Sequence, residues 1–130
     1  LLAYGSMVHP CLEAAKKLEK EGISFTVVNS RFAKPLDKEM ILRFTQPGRT
    51  IVTAEEGLIT GGFGSAVREL LDSHSKFDIK FKSIGLPLEI YPIGKSELIK
   101  GLYDLDEDGL VKQVKEFFKA NSSELRGQNT

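Results

Sequence analysis

The stretch from Thr50 to Ser73 constrains the fold of this chain more than any other. Thr50-Ile51-Val52-Thr53-Ala54 is a short, mostly β-branched strand. Glu55-Glu56-Gly57-Leu58-Ile59-Thr60-Gly61-Gly62 then leads into a helix that opens Phe63-Gly64-Ser65. Within that helix Phe63, Ala66, Val67, Leu70 and Leu71 recur at helical spacing, so one face has to meet a core. Gly61, Gly62 and Gly64 carry no Cβ and admit a close backbone approach above the carboxyl end of the strand. In open α/β sheets that edge is where ligands and partner domains sit.

The remaining elements repeat the alternation, in the order β-α-β-α-β-α-β-α-α. Strands are expected near residues 1–4, 23–28, 50–54 and 79–84. The first helix is expected from about Pro10 to Glu21, with Gly22 as its stop. A second starts at Asp37, a good N-cap with Leu36 and Ile41 placed as a staple, and runs to Pro47-Gly48. The alternating Ile79–Ile84 run reads as an edge strand, and helices near 96–102 and 107–119 close the domain. Strands alternating with helices imply parallel pairing and a three-layer α/β/α sandwich. We expect one domain over 1–120 and a disordered polar tail over 121–130. Leu1-Leu2-Ala3-Tyr4-Gly5 opens inside an apolar strand, from which we expect a piece of a larger protein.

Composition narrows the function classes. Eighteen basic and eighteen acidic residues leave no net charge, which gives no support for a nucleic-acid partner. No apolar run approaches the ~20 residues of a membrane span, and a single cysteine, Cys11, suits a reducing cytoplasm.

The candidate chemistry is sparse. Gly61-Gly62-Phe63-Gly64 lacks the third glycine of a dinucleotide fingerprint and the Gly-Lys-Ser/Thr of a phosphate loop. Glu55 and Glu56 are adjacent on a strand exit, so they point to opposite faces and cannot readily share a substrate. Asp104-Leu105-Asp106-Glu107-Asp108-Gly109 resembles the start of a calcium loop, yet its twelfth position is Lys115 where a glutamate should stand. Asp106 as a helix N-cap explains these acids better. His9 and His74 have no metal-ligand set beside them, and Cys11 lies on a buried helix stripe. Arg31-Phe32-Ala33-Lys34-Pro35-Leu36-Asp37 leaves the second strand at the same carboxyl edge as the glycine turn. We therefore expect Arg31, Phe32, Lys34, Pro35, Glu55, Glu56, Gly61, Gly62, Phe63 and Gly64 to form one interdomain or subunit contact surface. Catalytic, cofactor-binding and metal residues are expected to be none.

In this order and spacing, Arg31–Asp37, Glu55-Glu56 with Gly61–Ser65, Ile84-Gly85-Leu86-Pro87 and Pro92-Ile93-Gly94 resemble the carboxy-terminal domain of the 1-deoxy-D-xylulose-5-phosphate synthase family, transketolase-like thiamine-diphosphate enzymes. The likeness covers about residues 1–119. It implies a full-length cytoplasmic, homodimeric transferase that condenses pyruvate with glyceraldehyde 3-phosphate, releases carbon dioxide, and feeds isoprenoid and thiamine synthesis. It also implies that thiamine diphosphate and Mg2+ are held by missing amino-terminal and middle domains, that this piece alone is inactive, and that the family's first strand is absent before Leu1. Two other readings stay open. One is the equivalent domain of a 2-oxoacid dehydrogenase β subunit; the other is a freestanding anion-binding module built on the glycine turn.

Overall fold

The computed structural model describes the chain through residue 127. Four strands form one sheet: β1 (Leu2–Tyr4), β2 (Val28–Ser30), β3 (Thr50–Leu58) and β4 (Lys80–Leu86). Their order is β2-β1-β3-β4 and every pairing is parallel. The helices are α1 (Val8–Lys20), α2 (Lys38–Leu42), α3 (Phe63–Ser73), α4 (Ser96–Leu102) and α5 (Glu107–Gly127), with a single 3-10 turn at Gly5–Met7 before α1.

Alternation along β3 divides the core. Val52 and Ala54 join Met7, Cys11, Leu18, Leu110 and Val114 on the α1/α5 face. Ile51 joins Ile41, Phe63, Val67 and Leu71 on the α2/α3 face. Two apolar layers on one sheet make the expected three-layer sandwich. Lys17 of α1 ties the outer layer to α5 through Glu107 at 2.6 Å and Asp108 at 2.7 Å.

Four segments differ from the sequence reading. Ile23–Val27 does not enter the sheet, because β1 contributes only Leu2–Tyr4 to the ladder and these pair with Val28–Ser30. The second helix stops at Leu42 rather than at Pro47: Thr45 donates both its amide and its hydroxyl to the Leu42 carbonyl, closing the helix with a tight turn. β3 continues to Leu58 instead of ending at Ala54. Ala54 pairs with Ile84 but Leu58 with Leu86, so Glu55–Gly57 form a bulge. The polar segment expected to be a disordered tail begins as helix, since α5 runs to Gly127; residues 128–130 lie outside the described residues.

Candidate functional site

The β3 bulge sits at the carboxyl edge, beside the turn that follows β1. It sends two consecutive glutamates to opposite sides of the sheet, as strand alternation requires.

Glu55 turns toward α3 and is buried. Its two carboxylate oxygens accept the amide of Phe63 at 2.8 Å and that of Gly64 at 3.0 Å. These amides belong to the first turn of α3, where helix donors have no partner in the helix itself and the dipole favours negative charge. The glycines make room for this contact. A Cβ at Gly62 would lie 2.2 Å from the Leu58 carbonyl and 2.4 Å from a Glu55 oxygen. One at Gly64 would lie 2.5 Å from the Ser83 hydroxyl and 2.6 Å from that of Thr53. Of the three glycines at this turn, Gly61 alone has a positive φ, at 74°. Phe63 completes the seal by stacking on Tyr4, with ring centroids 5.2 Å apart.

Glu56 turns toward the other face and stays partly open, its side chain 37% exposed. Ser6 and Ser96 both donate to its carboxylate, and the Lys100 ammonium lies 3.5 Å away. These hydroxyl bonds, with the lysine charge as a smaller contribution, hold its carboxyl below the ordinary value. One carboxylate thus links the β1 exit to both ends of one α4 face. A hollow of about 240 Å3 lies under α4, bounded by Glu56, Leu86, Ile99, Lys100 and Leu105.

The expected contact surface divides accordingly. Arg31, Phe32, Lys34 and Pro35 are exposed, and the Lys34–Pro35 peptide is cis. Gly61 is exposed at the turn and Gly62 half-buried, whereas Glu55, Phe63 and Gly64 are buried. Those three therefore belong to the domain interior, because the helix amides must be satisfied by something and Glu55 is what reaches them. Among the described residues, Glu56 pairs with Lys100 and not with Arg31 or Lys34. Sequence reasoning missed Ser6, Ser96 and Lys100. The one signal for the latter two was their spacing of four, which puts them on one helical face.

The acids at 104–109 serve the fold. Asp106 accepts the Gly109 amide at 2.8 Å as the N-cap of α5, and Asp104 binds Lys112 at 2.9 Å. Burial pushes the Cys11 thiol up to about 12. The site does not fit a thiamine diphosphate. The α3 amides that would greet a phosphate already bind Glu55, whose carboxylate would repel it.

Fold and site define a parallel α/β domain whose glycine-led helix start is closed by its own carboxylate. The family model described as transketolase, C-terminal domain, matches residues 1–110, and the chain belongs to that family. A 1-deoxy-D-xylulose-5-phosphate synthase of Syntrophus aciditrophicus is 41% identical over 123 residues, which cover 95% of this chain and 19% of that protein. One from Synechococcus sp. (strain JA-3-3Ab) is 57% identical over 88 residues, covering 67% of this chain and 13% of that protein. Among solved structures, a split-gene transketolase described as an inactive β4 tetramer superposes with a TM-score of 0.79 at 33% identity. That match covers 91% of this chain and 38% of the other. The chain thus spans about a fifth or less of the synthases it matches.

Proposed function

We propose that this chain is the docking domain of a 1-deoxy-D-xylulose-5-phosphate synthase. The whole polypeptide would condense pyruvate with glyceraldehyde 3-phosphate in the cytoplasm, using thiamine diphosphate and Mg2+ held by its other domains. This domain contributes no reacting group. It packs on the amino-terminal and middle domains and takes part in the homodimer, with Arg31, Phe32, Lys34, Pro35, Glu56, Gly61 and Gly62 available at its carboxyl edge. The observation that carries this reading is Glu55 on the Phe63 and Gly64 amides, where its carboxylate occupies the start of α3 that a phosphate would otherwise meet. The match to synthases along nearly the whole chain supports the reaction assigned to the complete protein.

The test is an assay of the full-length polypeptide with pyruvate and glyceraldehyde 3-phosphate. Formation of 1-deoxy-D-xylulose 5-phosphate is expected. Turnover of another 2-oxoacid with lipoyl acceptors, and none with the aldehyde, would transfer the chain to the dehydrogenases.

A further inference from the structure

The carboxyl end of β2 carries a buried polar group without a partner. Ser30 is the last residue of that strand and is 3% exposed. Its hydroxyl makes no hydrogen bond among the described residues. Val28, two positions earlier, packs in the α2/α3 core, so the strand pleat turns Ser30 to the same side. There it borders a hollow of about 220 Å3, walled by Phe32, Met40 and Ile41 and edged by Arg31 and Asp37. Buried hydroxyls in folded chains are nearly always hydrogen-bonded, and this one lies too deep for bulk water to reach. A group seated in the hollow can reach it.

Place and size both suit a small ligand. The carboxyl ends of parallel strands are where open α/β sheets bind. At about 220 Å3 the hollow is smaller than the ~300 Å3 at which sites for drug-sized molecules begin, so it takes a short group and no nucleotide. Charge decides the chemistry. Segment 31–38 carries Arg31, Lys34 and Lys38 against the single acid Asp37. None of these three cations has an ion-pair partner among the described residues. Asp37 is the one unfavourable neighbour for an anion, and one of its oxygens is already held by the Met40 amide at 3.0 Å. A hydroxyl donor on one side and a guanidinium at the rim match a tetrahedral oxyanion, because arginine donates to phosphate oxygens in pairs and charge-assisted bonds are the strong ones. The apolar wall has room for a short carbon chain attached to that group.

We propose that the hollow at the end of β2 binds a small phosphate-bearing ligand, either inorganic phosphate or a short phosphate monoester, held by the Ser30 hydroxyl and the Arg31 guanidinium. The site stands or falls without the reaction proposed above, since every readout below is binding and not turnover.

The test uses the full-length polypeptide, purified without phosphate or sulfate. Equilibrium dialysis counts the radiolabelled inorganic phosphate bound per chain, with glycerol 3-phosphate titrated in parallel as the monoester. Ser30→Ala should weaken one class of bound phosphate about tenfold, the loss of one hydrogen bond to a charged group. Arg31→Gln should bind one phosphate fewer per chain. Ser30→Ala removes a hydroxyl that has no partner in the fold, so its unfolding temperature without phosphate should not fall, which separates lost binding from lost folding. Crystals soaked in tungstate, a phosphate analogue with a strong anomalous signal, should show the oxyanion within hydrogen-bond reach of both side chains. Glycerol 3-phosphate binding at least as tightly as inorganic phosphate would identify the monoester as the ligand, and weaker binding would identify free phosphate. Equal phosphate binding by all three proteins would overturn the site. Tungstate in the hollow with no solution binding lost in Arg31→Gln would also overturn it, as an adventitious ion only. So would an aspartate or glutamate of another domain seated in the hollow, which would make it a docking socket.

Discussion

Glu55 and Glu56 are chemically identical neighbours, and the two sides of the sheet make different things of them. Glu55 is buried and receives two main-chain amides that no other group reaches. Glu56 is partly open and receives a hydroxyl from Ser6 after β1 and a hydroxyl and a lysine from α4. The first contact is a condition of the fold, because an unsatisfied buried amide costs about 1–3 kcal/mol. The second sets the orientation of one short helix in a screened, half-wet setting. The same residue type is therefore a structural cap on one face and a positioning group on the other.

The largest effect is expected where the chain has no room. Gly62→Val drives a side chain into the Leu58 carbonyl and the Glu55 carboxylate. It should therefore destabilise the domain itself by about 3–5 kcal/mol, combining overpacking with a displaced cap. Urea denaturation of the variant measures it, and a midpoint equal to that of the unaltered chain would break the contrast between the two faces.

Glu55→Ala comes next. It leaves the Phe63 and Gly64 amides buried without an acceptor and should cost about 2–4 kcal/mol. Hydrogen exchange should accelerate first at Phe63 and Gly64, rather than uniformly.

Glu56→Gln should cost only about 0.5–1 kcal/mol, since its carboxylate is exposed enough to be screened. The change should appear mainly as faster exchange in α4. The pH dependence sharpens the point. The folded state holds the Glu56 carboxyl below its unfolded value of about 4.3, so its contribution is complete above that pH. It is then lost as the pH falls through the lower folded value. The stability difference between the two proteins should be constant from pH 6 to 8 and shrink below about pH 4. A difference that grows on acidification would reverse the assignment.

The smallest effect concerns Cys11, which is buried and has its thiol pushed up to about 12. It should react with disulfide reagents at pH 8 only when the domain unfolds. Rapid labelling of the folded chain would show that α1 opens far more freely than the core packing allows.

The α3 stripe and the helix-strand alternation were legible because each follows from periodicity within a single element. The Asp37 and Asp106 caps were legible for the same reason: each acts on an amide three residues away. The opposite facing of Glu55 and Glu56 follows from the strand pleat. What stayed hidden depends on contacts between distant segments. No local pattern reveals that Glu55 reaches forward to Phe63, or that β3 carries a bulge set by its register with β4. The orientation of α4 is the sharpest case. Leu98 and Leu102 are exposed while Ser96 and Lys100 are held by Glu56, forty or more residues earlier in the chain.

The central claim is that Glu55, and not a bound diphosphate, occupies the amides at the start of α3. Amide NMR of this chain, titrated with thiamine diphosphate and Mg2+, tests it most directly. The account predicts that the Phe63 and Gly64 resonances stay in place up to millimolar ligand in the unaltered chain. Saturable shifts of those two amides at micromolar concentrations would contradict it.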